Sequence, residues 1–166
     1  SSSSAASDVY KRQPISINSD LNLAFVSGIH APIKYTLHEK NTENGITEYT
    51  SSEPTNDPQW GLLSAINLST GQIQWQYKTP QPLVGGTLST KGGLVFLGEG
   101  NGNFNAIDAA SGALLWQTYI DAGVNAPPIT YLIDGEQYIA VVAGGNKIMG
   151  FSQGDYISVY KLPKTE

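Results

Sequence analysis

Apolar residues in this chain occur in short runs interrupted by Gly, Pro, Asn and Asp, and no window repeats them at helical spacing. Alternation of apolar and polar positions predicts half-buried strands, whereas a short unbroken apolar run such as Leu94–Leu97 predicts a strand buried on both faces. The other runs that predict strands are Leu21–Val26, Ile33–Leu37, Gly61–Asn67, Gln72–Tyr77, Asn103–Asp108, Ala113–Thr118, Ile129–Ile133, Gln137–Ala143 and Tyr156–Tyr160. We therefore expect an all-β protein.

One long stretch lacks this pattern. His38–Pro58 is polar and contains five acidic residues at wide spacing. That spacing does not fit a calcium-binding loop. We interpret the stretch as a solvated surface loop.

Two segments of the chain match when one is displaced by 41 positions, as Trp75 and Trp116 show. Both read Ala-Ile-(Asn/Asp)-x-x-(Ser/Thr)-Gly-x-(Leu/Ile)-x-Trp. The residues that recur at this displacement are Ala65, Gly71 and Trp75 in the first copy, and Ala106, Gly112 and Trp116 in the second. Asn67 and Asp108 stand where their side chains can accept hydrogen bonds from the following turn, and the glycine suits a left-handed backbone. Turn capping is thus favoured over a catalytic role for this pair.

A period of this length, with a turn between two apolar runs, is typical of propeller blades. A blade cannot bury both faces of its sheet alone, so we expect the chain to belong to a larger ring. We predict a partial β-propeller of about two to three four-stranded blades. The domain assignment is residues 14–166 as one incomplete propeller.

Residues 1–13 are left out of this domain. Ser1–Ser7 is a low-complexity tract without the apolar core of a signal peptide. Asp8–Gln13 resembles the translation of a sequencing adapter, which implies a gene cut at its 5′ side, and a native flexible linker is the alternative.

The amino-acid composition argues against several classes of function. The formal charge is −5, without a cluster of either sign, which argues against nucleic acid and anionic membranes as partners. The chain has no cysteine, so it offers no disulfide, thiolate metal site or cysteine nucleophile. No apolar run reaches the roughly 18 residues that a membrane-spanning helix needs.

The motif that ends in Trp75 and Trp116 resembles the tryptophan-docking motif of the quinoprotein dehydrogenases that use pyrroloquinoline quinone. The resemblance covers Leu21–Pro163 and is strongest to the glucose-type and alcohol-type enzymes. Further strings that match the C-terminal end of that family, in its order, are Gly85–Phe96, Gly98–Gly102, Asn125–Tyr131, Asp134–Val141, Ala143–Asn146 and Gly154–Asp155.

The resemblance implies an eight-bladed propeller in which each docking tryptophan packs on the glycine-bearing turn of the neighbouring blade. It also implies pyrroloquinoline quinone and a calcium ion on the propeller axis. The substrate would be an alcohol or aldose, the electron acceptor a quinone or cytochrome, and the location the periplasm, with an inner-membrane anchor outside this chain left open. In the family the base and metal ligands lie before or near the start of this stretch. No catalytic residue or metal ligand is therefore assigned, and we expect the chain alone to be inactive.

Five residues are candidates for cofactor binding. Gly144, Gly145 and Asn146 form a loop that in the family approaches the quinone, and an ordinary turn is the alternative. Val84 stands where some relatives carry a tryptophan, so it offers apolar contact only. His30 follows a predicted inner strand where relatives carry polar residues near the cofactor, and a solvated bystander is the alternative.

Each of the three tryptophans has more than one possible role. Trp75 and Trp116 could stack on a cofactor, but the repeat places them at blade junctions, which favours packing. Trp60 fits either a blade entry or the mouth of the central funnel.

A different class of function also fits the repeat. Outer-membrane assembly lipoproteins use related propellers as non-enzymatic scaffolds. The Ala-Gly-Gly-Asn loop at 143–146 favours the enzyme.

Overall fold

The computed structural model describes residues 13–43 and 45–161 and contains thirteen strands there. Their bounds are β1 Ser16–Asn18, β2 Leu23–His30, β3 Ile33–Thr42, β4 Gly45–Pro54, β5 Trp60–Asn67, β6 Ile73–Thr79, β7 Thr87–Ser89, β8 Leu94–Gly98, β9 Asn103–Asp108, β10 Leu114–Tyr119, β11 Ile129–Ile133, β12 Glu136–Ala143 and β13 Tyr156–Lys161. The described residues contain no helix able to cross a membrane. The all-β prediction is confirmed. Most of the predicted leader, residues 1–12, lies outside the described residues.

The strands form three antiparallel blades and one separate hairpin. Blade 1 has the order β1-β2-β5-β6, blade 2 the order β7-β8-β9-β10, and blade 3 the order β11-β12-β13. The β3–β4 hairpin is inserted between β2 and β5 of blade 1 and forms a two-stranded sheet of its own. Two four-stranded blades and a three-stranded blade agree with the predicted partial propeller.

The interpretation of His38–Pro58 as a surface loop is wrong for most of its length. His38–Thr42 continues β3, and Gly45–Pro54 is β4, paired with it from Ile33↔Pro54 to Thr42↔Gly45. The stretch gave no strand pattern because nearly every side chain of β4 is exposed. A ribbon without a buried face has no need for strict alternation.

Two hydrophobic cores lie between the blades. The first joins blades 1 and 2 and contains Leu23, Phe25, Leu63, Ala65, Leu83, Val95, Leu97, Ile107 and Ala109. The second joins blades 2 and 3 and contains Phe96, Phe104, Ala106, Ile120, Ala122, Val124, Ile139, Val141 and Ala143. Strand β8 contributes Val95 and Leu97 to one core and Phe96 to the other, as its unbroken apolar sequence predicts.

The repeat has the same local geometry in both copies. Trp75 is paired across the strands with Ala65, and Trp116 with Ala106, with a register shift next to each pair. In the turns between these strands, Gly71 and Gly112 adopt φ values of 71° and 77°. A residue with a side chain is strained in this left-handed region.

The side chains of Asn67 and Asp108 cap these turns. Asn67 Oδ1 accepts from the amides of Ser69 and Thr70 at 3.0 Å each. Asp108 Oδ1 accepts from the hydroxyl and the amide of Ser111 at 2.7 Å each, and these bonds lower the pKa of Asp108 below its usual value.

The indole of Trp75 lies on the turn of blade 2. Its Nε1 donates to the carbonyl oxygen of Ala109 at 3.1 Å. A Cβ added to Gly112 would come within 2.7 Å of indole Cδ2, so only glycine permits this approach. Trp116 occupies the equivalent position one blade further on, where its ring meets Tyr160 edge-on at 5.3 Å between centroids.

Candidate functional site

Four connections and the neck of the hairpin lie at one end of the blades, opposite the turns capped by Asn67 and Asp108. These connections are 80–86, 99–102, 120–128 and 144–155. Antiparallel strands alternate in direction, so every second connection emerges at the same end. All five candidate cofactor residues are at this end.

Loop 144–155 is tied to its neighbours by backbone hydrogen bonds. The amide of Gly145 donates to Gly123 at 2.9 Å, and the amide of Gly123 donates to Ser152 at 2.9 Å. Gly145 has φ 73°, and a Cβ there would lie 2.1 Å from the oxygen of Ser152. Gly144 has no such conflict, since its nearest neighbour would be the oxygen of Gly154 at 3.8 Å. Its exposed backbone is therefore open to close approach by a ligand.

One of the two polar atoms of the Asn146 side chain forms hydrogen bonds within its own loop. Its Oδ1 accepts from the amides of Ile148 at 3.1 Å and Met149 at 3.2 Å, and its carbonyl accepts from Phe151 at 2.9 Å. The oxygen therefore fixes the loop, which leaves the Nδ2 group to donate to a ligand. Asn146 therefore offers a ligand the donor of its side-chain amide rather than the acceptor.

Phe151 anchors the loop that carries Asn146. Its side chain is 6% exposed, and a Cβ on Gly100 or Gly123 would come within 2.4 Å or 3.0 Å of it. Both glycines thus leave room for the phenylalanine. The loop tip has the opposite character, because Ile148 is 96% exposed.

Replacing Phe151 by alanine should release the loop without unfolding the blades. A buried phenylalanine contributes about 3–5 kcal/mol relative to alanine, so we expect the amides of Gly145 and Phe151 to exchange hydrogen at least about tenfold faster. Peptide-resolved hydrogen exchange measures this directly. Ile148→Ala, at the exposed tip, should leave the rates unchanged, and equal rates in wild type and Phe151→Ala would contradict the anchor.

Val84 lies next to the connection between blades 2 and 3. Its carbonyl accepts from Gln13 Nε2, and the carbonyl of neighbouring Gly85 accepts from Ser27 Oγ at 2.7 Å. A Cβ on Gly85 would lie 3.3 Å from the carbonyl oxygen of Asn125. Loop 84–86 thus contacts loop 123–125, which in turn holds Gly145. The structure therefore brings Val84 and the 144–146 loop into one cluster.

His30 belongs to a separate cluster at the neck of the hairpin. Its ring stacks on Trp60 with centroids 3.6 Å apart and an angle of 14°, and Lys78 Nζ lies 4.0 Å above the centroid of the Trp60 ring. Trp60 is directly opposite His30 in the β2–β5 ladder. Trp60 therefore lies at the blade end where the hairpin begins, which is also the end that carries the candidate cofactor residues.

Asn125 is a polar residue of the site that sequence reasoning missed. Its Oδ1 and Nδ2 are both buried and have no hydrogen-bond partner. A buried amide without partners is costly, by about 1–3 kcal/mol per group. The sequence contained a signal for this residue. Asn125 occupies the position of the 41-residue repeat that is equivalent to Val84, just as Trp116 is equivalent to Trp75.

Glu99 was also missed as a buried charge. It is 2% exposed and accepts from Asn105 Nδ2 at 2.5 Å and Asn101 Nδ2 at 3.1 Å. Asn105 Oδ1 in turn accepts from Gln117 at 2.8 Å. Partial burial, together with the negative charge of Glu99, raises the pKa of Tyr77 above its usual value. This network fixes the end of β8 below the candidate site.

Within residues 13–43 and 45–161, no group of three or more His, Asp or Glu residues is placed to hold a metal ion. The features that fit a cofactor are the open backbone of Gly144, the free donor of Asn146 and the unpaired amide of Asn125. A few well-placed polar groups of this kind orient the ligand in cofactor pockets. The described residues therefore fit one wall of such a site.

Comparison with known proteins identifies the class. Residues 30–139 match the family described as "PQQ: Glucose/ethanol/alcohol dehydrogenase, beta-propeller domain", and the chain belongs to this family. PQQ is pyrroloquinoline quinone, so the suspected resemblance is confirmed.

Particular relatives support the same family. The quinoprotein alcohol dehydrogenase PedE of Pseudomonas putida is 34% identical over 151 residues, which cover 89% of this chain and 24% of the relative. The quinoprotein glucose dehydrogenase of Escherichia coli is 35% identical over 130 residues, covering 66% of this chain and 16% of the relative. The chain thus spans a quarter or less of the length of these two relatives.

Solved structures share the fold. A quinohemoprotein alcohol dehydrogenase from Pseudomonas putida HK5 superposes with a TM-score of 0.77 at 27% identity, covering 93% of this chain and 26% of that chain. A europium-containing methanol dehydrogenase gives a TM-score of 0.67 at 28% identity, covering 81% of this chain and 24% of that chain.

Proposed function

We propose that this chain is part of a longer periplasmic quinoprotein dehydrogenase that oxidises an alcohol or an aldose and passes electrons to a quinone or a cytochrome. The observation that carries the proposal is the family match over residues 30–139, together with the cluster of candidate cofactor residues at one end of the blades. The location and the acceptor rest on the resemblance alone. The remaining blades of the same propeller are the partners that the open faces of blades 1 and 3 require.

When bound, pyrroloquinoline quinone with calcium would supply a hydride acceptor and a Lewis acid for the oxidation. The residues of this chain that would hold the cofactor are Gly144, Gly145 and Asn146, with Val84 and His30 at the neighbouring blade ends. The general base and metal ligands belong, on this proposal, to the part of the longer protein outside this chain.

The role of the 144–146 loop is to position the Nδ2 group of Asn146 as a hydrogen-bond donor. Gly145 permits the left-handed turn, Phe151 fixes the base of the loop, and Asn146 Oδ1 binds two amides of the tip. Its Nδ2 is thereby held in one orientation before a ligand binds. Such preorganisation lowers the entropy that binding must offset. Val84 adds apolar surface that excludes water on the adjoining side.

The test is reconstitution of the longer protein with calcium and pyrroloquinoline quinone. We expect dye-linked oxidation of an alcohol or an aldose to appear, together with a rise in thermal stability. At a cofactor concentration of 100 times Kd the stabilisation is about 2.7 kcal/mol. A calcium-free sample with the same quinone is the control.

The same experiment distinguishes the scaffold alternative. A non-enzymatic propeller would show neither oxidation nor stabilisation on addition of quinone and calcium. That result would remove the enzyme proposal.

A further inference from the structure

The β3–β4 hairpin projects from blade 1 as an isolated ribbon. Ten residue pairs join its strands, and it forms no sheet with any other described strand. A lone two-stranded ribbon is only marginally stable in water. An element of this length therefore needs support from something that packs against it.

The two faces of the ribbon differ in character. One face carries paired polar contacts, namely the ion pair of Lys34 with Glu53 at 3.1 Å and the stacked rings of His38 and Tyr49. The other face, which also carries Asn41, Thr50 and Ser52, has most of the apolar residues of the ribbon. These are Ile33, Tyr35, Leu37, Ile46 and Pro54, assigned by the strand register.

The apolar face is uncovered in this chain. Tyr35 is 42% exposed, Leu37 62% and Ile46 66%. Tyr35 and Leu37 are neighbours on this face, whereas Ile46 lies beyond the pair Glu39–Glu48. Large apolar side chains exposed in this way indicate a contact with another surface. The polar pairs of the opposite face are already satisfied, so the apolar face is the one that lacks a neighbour.

Two glutamates lie directly opposite each other on this same apolar face. Glu39 pairs with Glu48 in the register, between Leu37 on one strand and Ile46 on the other. Among the described residues, the ion pairs are Lys34–Glu53 and Lys161–Glu136, and neither involves Glu39 or Glu48. Like charges directly opposite on a ribbon destabilise it. A cation seated between them would reverse the sign of this interaction.

We propose that the apolar face of the β3–β4 hairpin is the docking site for another segment of the same longer polypeptide, which places a lysine or arginine between Glu39 and Glu48. The contact has to be permanent, because an exposed ribbon with opposed glutamates would not be stable in the absence of a transient partner. The chain spans only 24% of a relative such as PedE, so a longer protein of the proposed function would supply such a segment. A second copy of the chain is disfavoured, because its own glutamate pair would meet this one.

The first test uses Glu39→Gln and Glu48→Gln in the longer protein without added quinone. This inference shares with the proposed function only the existence of a longer propeller, so apoprotein stability tests it whether or not the enzyme is active. A lysine or arginine bound between the two glutamates would lose one of its carboxylate partners. We therefore expect each variant to lower Tm by about 2 °C or more. Glu53→Gln is the matched control, since its exposed pair with Lys34 contributes little. Unchanged or higher Tm in both test variants would show unrelieved repulsion and overturn the proposal.

The second test measures whether the face is covered. Leu37→Cys places a thiol on the apolar face, and Thr47→Cys places one on the opposite face. In the longer protein we expect maleimide to modify Cys at position 37 at least about tenfold more slowly than at position 47, by peptide mass spectrometry. Equal rates would overturn the proposal. Protection at position 37 that disappears on dilution would also overturn it, in favour of a second copy or a separate protein.

Discussion

Replacing Trp75 by alanine is expected to lower the free energy of unfolding by about 3 kcal/mol or more. The indole packs against Phe25 with centroids 5.7 Å apart, borders the core between blades 1 and 2, and donates to Ala109 at 3.1 Å. Removing it leaves a cavity at the blade junction and an unpaired carbonyl oxygen. Because the blades are joined mainly through this core, loss of the indole weakens their association rather than one sheet alone.

Urea-induced unfolding of the longer protein, followed by circular dichroism, measures the effect of Trp75→Ala. Trp75→Phe keeps most of the apolar contact and loses the hydrogen bond, so about 1 kcal/mol is expected. An unfolding midpoint equal to that of the wild type would show that Trp75 does not link the blades.

Replacing Gly112 by alanine is expected to destabilise the protein by about 2–5 kcal/mol. Its φ of 77° is a left-handed conformation, which costs a residue with a Cβ about 1–2 kcal/mol. The new methyl group would also lie 2.7 Å from Trp75 and push the indole away, at a further cost of about 1–3 kcal/mol.

Gly135→Ala separates these two contributions. Gly135 has φ 78°, and a Cβ there would meet nothing within 4 Å. Its substitution should show the backbone cost alone. If Gly112→Ala and Gly135→Ala destabilise the protein equally, the contact between Gly112 and the indole contributes nothing to stability.

Local sequence chemistry accounts for the strands and turns of the repeat. The residues Asn67 and Gly71, and Asp108 and Gly112, specify a capped turn with one left-handed residue, and both turns form as expected. Such turns involve only neighbours in sequence, so their pattern is visible without a fold. The three-residue strands β1 and β7 were missed because so short a segment carries no periodicity.

The hairpin shows where sequence reasoning fails. The run Ile33–Leu37 was predicted as a strand, but its continuation was not. Ile46 and Tyr49 favour strands by their intrinsic preference, yet the neighbouring glutamates made His38–Pro58 resemble a solvated loop. Alternation indicates a strand only when one face is buried within the same chain. A ribbon whose covering surface lies elsewhere therefore gives a weak signal.

The candidate site could be predicted from the sequence only in part. The family resemblance made the 144–146 loop and Val84 candidates, but the sequence did not show that Asn146 Oδ1 is used within the loop. The stacking of His30 on Trp60 depends on strand register across the hairpin insertion. These facts arise from contacts between residues far apart in the chain.

By itself, the sequence determined the all-β class, the 41-residue repeat and the family, because turn chemistry and tandem motifs are local properties. Only the tertiary structure decided that Glu99 and the side-chain amide of Asn125 are buried, and that the face of the β3–β4 hairpin with Leu37 and Ile46 is bare. Burial and pairing depend on which distant segments meet. That choice is made by packing between blades, which no single stretch of sequence encodes.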